Sequence, residues 1–95
     1  MTNKHRRTLA AIFERPTRAD VSWRDVESLL RGLGAIVKQG EGSRVRIALR
    51  VASSAPERPE FVRIVLHEPH PRQVLSKGAV EDLRLFLGRA GVEPP

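Results

Sequence analysis

The chain has 95 residues, of which 40% are hydrophobic, 4% aromatic and 29% charged, and its formal net charge is +6. That length supports one small domain with one core, and so few aromatics exclude a base-stacking platform as the main binding device. The absence of cysteine excludes disulfides and thiolate metal sites, and no apolar run approaches the roughly 20 residues that cross a bilayer.

The N-terminus Met1 to Arg7 is basic, but the stretch after it is too short and too mixed for a signal peptide, so the expected location is the cytoplasm. The charge is unevenly placed. Residues 1–50 hold 11 Lys/Arg against 5 Asp/Glu, whereas residues 51–95 hold 6 of each. A basic half of this kind suits a polyanion or an acidic protein partner; the alternative is charge that serves only solubility.

Asn3 to Glu14 reads as a helix, with Leu9, Ile12 and Phe13 at helical spacing and Pro16 as its stop. Thr17 to Val21 is a connector. Ser22 is a good N-cap with Asp25 three positions later, and Trp23, Val26, Leu29, Leu30 and Leu33 form the apolar stripe of a second helix ending before Gly34. Trp23, at the helix start, reads as core or staple rather than as a stacking residue.

Ala35 to Gln39 is a short strand and Gly40 to Ser43 a tight turn. Arg44 to Val51 alternates strictly, with Val45, Ile47, Leu49 and Val51 on one face and Arg44, Arg46 and Arg50 on the other. Three guanidinium groups in a row repel one another unless an anion meets them. Ala52 to Glu60, with two prolines and two serines, is a loop. Phe61 to His67 is a third strand, with Val62, Ile64 and Leu66 on one side and Arg63, Val65 and His67 on the other.

The connector Glu68 to Arg72 is stiffened by Pro69 and Pro71. Ser76 caps a last helix whose stripe is Val80, Leu83, Phe86, Leu87 and Ala90, with Gly91 after it. The order helix, helix, three strands, helix predicts an α+β sandwich of two layers, an antiparallel meander with helices on one face. The free face then shows Arg44, Arg46, Arg50, Arg63 and His67.

This ordered set resembles the HicA toxins of bacterial HicA–HicB toxin–antitoxin systems. The resemblance is carried by the helix ending at Leu33-Gly34, the strand Ile36-Val37-Lys38, the Gly42-Ser43 turn, the basic strand after it, the strand Phe61–His67 and the closing helix ending in Ala90-Gly91-Val92. It covers roughly residues 22–92. Residues 1–21 then form an N-terminal helical extension and connector, and residues 22–95 the HicA-like domain.

The resemblance implies a fold like a double-stranded-RNA-binding domain and metal-independent cleavage of mRNA. It also implies neutralisation by a HicB antitoxin covering the active face, and it calls for no cofactor. The family's catalytic histidine comes directly after the Gly-Ser turn, and in this chain that position is Arg44.

Metal-independent RNA cleavage needs a base near the 2′-hydroxyl, a cation for the charge developing on phosphorus, and an acid for the leaving oxygen. Arg44 supplies a cation and no base. His5, His67 and His70 are the side chains with a suitable ordinary titration range. Strand parity puts His67 on the face of Arg44 and Arg46, and hairpin pairing brings it to the Gly-Ser turn, within reach of His70. The expected catalytic residues are therefore His67, His70 and Arg44, and the expected RNA contacts are Lys38, Ser43, Arg44, Arg46, Arg50, Arg63 and Arg72.

The alternative is a catalytically inactive module that binds only RNA or the antitoxin. His67 and His70 with Glu68 between them lack a third metal ligand of matching spacing, so no metal site is expected. Ser43 reads as a turn or phosphate-contacting hydroxyl, not a nucleophile. The Gly40–Ser43 turn leads into a strand and lacks the Lys-Ser/Thr pattern of a nucleotide loop. Lys4, Arg6 and Arg7 form a solvated helix face or extend an RNA track.

Overall fold

Hydroxyl side chains start all three helices. The Thr2, Ser22 and Ser76 hydroxyls accept from the amides of His5, Asp25 and Ala79 at 3.1 Å each, which satisfies a donor that the first turn leaves without an intrahelical partner. The computed structural model describes all 95 residues as α1 (Asn3–Phe13), α2 (Trp23–Gly32), β1 (Ile36–Gln39), β2 (Arg44–Arg50), β3 (Phe61–His67) and α3 (Lys77–Arg89). The fold is α+β, with the strands forming an antiparallel sheet of order β1-β2-β3.

Element ends differ slightly from the sequence expectation. The first helix stops at Phe13, with Glu14 already extended, and Pro16 two positions on bars the helix from continuing by keeping Arg15 out of helical geometry. Strand β1 begins at Ile36 rather than Ala35, and β2 ends at Arg50. Val51 lies just past the strand, yet its amide still donates to the Glu60 carbonyl at 2.7 Å.

The alternation of β2 governs the packing. Val45, Ile47 and Leu49 are buried against the helices, while Arg44, Arg46 and Arg50 are exposed on the opposite face. Helix α2 packs on β1 and α3 packs on β3. Helix α1 touches both α2 and α3 and no strand, so it bridges the two sheet-covering helices. Its Leu9 and Ile12 belong to the same buried cluster as Trp23, Leu29, Val80 and Leu87. Residues 1–21 and the rest of the chain thus share one core.

The bridge is fastened by Arg84. Its buried guanidinium donates to the Ile12 carbonyl (3.0 Å), the Glu14 carbonyl (3.2 Å) and the Thr17 hydroxyl (3.0 Å). A cation at the C-terminal end of α1 also meets the negative end of that helix. On the surface nearby, Arg18 donates twice to Asp20, at 2.8 Å each, and this holds the Asp20 carboxyl below its usual range.

Candidate functional site

The turn before β2 closes through Gly40, whose amide donates to the Arg44 carbonyl at 2.7 Å, and through Gly42, which adopts φ +60 in the left-handed region that glycine enters at little cost. The chain then leaves Ser43 at the edge of the sheet, held twice. Its carbonyl accepts from the Glu68 amide at 2.7 Å, and its hydroxyl bonds His67 Nδ1 at 3.1 Å. The β2–β3 register pairs Arg44 with His67. The hairpin pairing thus brings His67 to the Gly-Ser turn and leaves its Nε2 without a protein partner.

From His67 the chain enters a groove of about 930 Å³ whose walls include Ser43, His67, His70, Arg72 and Lys77. The 68–72 segment is anchored at both ends. Glu68 bonds Ser43, and beyond Arg72 the chain pairs with the start of α2, where the Trp23 amide donates to the Gln73 carbonyl and the Leu75 amide to the Val21 carbonyl, both at 2.9 Å. The Gln73 side chain also donates to the Pro69 carbonyl at 2.8 Å. His70 projects from this braced loop and is exposed.

The outer sheet face is a lattice of cations and apolar side chains. Lys38 sits beside Arg46, Arg46 beside Val65, and Ala48 between Ile36 and Arg63. A furrow of about 380 Å³ runs among these six. Ile36 and Val65 are 50% and 52% exposed, so the face has apolar floor as well as positive charge. The four ion pairs of the molecule use Lys4, Arg18 and Arg31. The sheet cations and Arg72 therefore have no carboxylate partner and remain available to an anion.

Two expected contacts also meet groups of the chain itself. Arg50 lies at the far end of β2, six residues or about 20 Å from Arg44, and donates to the Ser54 carbonyl. Arg63 rests over the Phe61 ring, 5.9 Å from its centroid. His5 lies elsewhere, bonded to the Ser28 hydroxyl at 2.9 Å. The structure gathers no three His, Asp or Glu side chains in a metal-holding group.

Lys77 was not among the expected residues. The signal for it lay in the N-cap: Ser76 makes Lys77 the first helical residue after the proline loop, and so aims it at the loop's other side chains.

Fold and site together define a small α+β domain with a cationic, partly apolar sheet face and a histidine-lined groove at one end of it. The model of the family described as HicA toxin of bacterial toxin-antitoxin matches residues 23–92, and the chain belongs to that family. It is a toxin of a toxin–antitoxin system, and its partner is an antitoxin. No curated protein and no solved structure matches the chain. No helix is long and apolar enough to cross a membrane.

Proposed function

We propose that this toxin is an RNA-binding, metal-independent endoribonuclease that cleaves mRNA in the cytoplasm, and that a HicB-like antitoxin neutralises it. The observation that carries this reading is the Ser43–His67 hydrogen bond, which orients an imidazole at the mouth of a groove that also holds His70, Arg72 and Lys77. One histidine takes the proton from the RNA 2′-hydroxyl. The 2′-oxygen attacks the adjacent phosphorus, and the bond from phosphorus to the 5′-oxygen breaks. The other histidine protonates that leaving oxygen, giving a 2′,3′-cyclic phosphate and a 5′-hydroxyl. Arg44, beside His67, and Arg72 meet the charge that develops on the phosphoryl oxygens. Lys38, Arg46 and Arg63 hold the flanking phosphates.

A second reading has its own support: Arg44 occupies the position where the family carries its catalytic histidine, which favours a module that binds RNA or the antitoxin without cutting. One assay separates the two. Purified protein is incubated with RNA in the presence of a chelator, and cleavage and binding are measured for the wild type and for His67→Ala/His70→Ala. The endoribonuclease reading expects cleavage to fall by a factor of about 100 or more, with affinity for RNA within about threefold. Cleavage that survives the double substitution overturns the catalytic assignment. No cleavage by the wild type, with RNA bound, establishes the second reading.

A further inference from the structure

The antiparallel ladder fixes which backbone groups of β3 are still free. The bonds from Val51 to Glu60 and from Glu68 to Ser43 set its phase. Since bonded and non-bonded pairs alternate, Val62, Ile64 and Leu66 point their amides and carbonyls at β2. Phe61, Arg63, Val65 and His67 point theirs outward. Strand β3 is the last in the sheet, so seven residues of strand present an unpaired edge.

That edge borders a trench. A cavity of about 280 Å³ opens between Val62, Ile64 and the α3 residues Leu85 and Arg89. It meets the 930 Å³ groove at Asp82, which lines both. The trench therefore runs along the free edge from Val62 to His67. At Val62, Ile64 and Leu85 its floor is apolar and incompletely covered. Leu85 is 60% exposed, and Val62 and Ile64 are only half-buried although their β2 neighbours Ile47 and Leu49 are fully so. On the outer side the edge carries Arg63 and His67.

We propose that an extended segment of the antitoxin adds to this edge as a fourth strand, with acidic side chains toward Arg63 and His67 and apolar side chains over Val62, Ile64 and Leu85. Main-chain bonds to the outward groups of β3 supply the register, and alternation of the incoming strand supplies both faces. A strand in this position runs past His67 and closes the groove, which makes docking and inhibition one event. Charge decides against a second copy of this chain as the occupant, because each copy carries +6 and brings its own arginine and histidine to the seam. This inference rests on the antitoxin reading above.

The test uses the purified antitoxin of the same locus and the full-length toxin labelled for amide hydrogen exchange. In the saturated complex, exchange at Phe61, Arg63, Val65 and His67 slows on the order of 100-fold, while Val62, Ile64 and Leu66 are already slow in the free toxin. Val65→Pro removes an outward amide and no ladder bond. It keeps the melting temperature within a few degrees and weakens the complex about tenfold or more. A complex that leaves the four outward amides exchanging freely overturns the edge docking and leaves the antitoxin reading intact. Failure of the two proteins to associate overturns both. Slow exchange of the four amides in the toxin alone, lost on dilution, assigns the edge to a second copy and overturns the proposal.

Discussion

Ser43 and His67 meet across the β2–β3 pair, and their bond decides what Nε2 offers to substrate. With Nδ1–H donating to the Ser43 hydroxyl, the neutral ring leaves Nε2 bare, as a base requires, and the protonated ring carries a proton on Nε2, as an acid requires. On the endoribonuclease reading Ser43 is thus a positioning residue, its hydroxyl accepting in both halves of the proton relay. Arg44 is the direct neighbour of this histidine. The pair Arg44/His67 lies between the bonded pairs Ser43/Glu68 and Val45/Leu66, where side chains of opposing strands approach most closely. Arg44→His therefore discriminates between the two functional readings. With His67 and His70 carrying the chemistry, cleavage by Arg44→His stays within about threefold, or falls as a phosphate contact is lost. A rise of about 100-fold or more in chelator-treated RNA digests marks Arg44 as the residue that silences the site.

Helix α1 and the family-matched segment beginning at Trp23 are joined by a contact with no local signature. Arg84 lies 72 residues from Ile12, and its guanidinium is buried with neutral acceptors only. Arg84→Met keeps the bulk of the side chain and removes its donors, leaving two carbonyls and the Thr17 hydroxyl short of partners. A loss of about 1–3 kcal/mol is expected, offset in part by relief from burying a charge. Thermal unfolding then shifts down by roughly 5–20 °C, and limited proteolysis cuts first within residues 1–21. Arg84 reads from sequence as an ordinary surface arginine on a helix, because only tertiary packing buries it. What was legible is what local chemistry dictates: the Ser22 and Ser76 caps, the glycines Gly34 and Gly91 that end their helices, the alternation of β2, and the parity that aligns His67 with Arg44. Arg50 shows the converse limit. Parity gave its face, but the partner it turns to, the Ser54 carbonyl, belongs to a loop with no periodicity to read.

Across the whole molecule, folding redistributes the charge that the sequence concentrates in its first half. Lys4, Arg18 and Arg31, all from that half, are tied into ion pairs. Arg63, Arg72 and Lys77, from the electrically balanced half, join Lys38, Arg44 and Arg46 around the open sheet face and groove. Arg6, Arg7 and Arg24 stay unpaired on α1 and α2, and the unpaired charge at the sheet face and groove thus comes from both halves of the chain. If these cations grip RNA phosphates, binding weakens steeply with salt. Each phosphate neutralised on a single strand contributes about −0.7 to the slope of log K against log salt. Contacts from Lys38, Arg44, Arg46 and Arg63 correspond to a slope near −2.8, and Arg46→Gln/Arg63→Gln reduces it to about −1.4. Both side chains are exposed and unpaired by carboxylates, so the melting temperature stays within a few degrees. Binding titrations at several salt concentrations measure the slope. A double variant that retains the wild-type slope removes the sheet face from RNA recognition and leaves the groove alone to bind it.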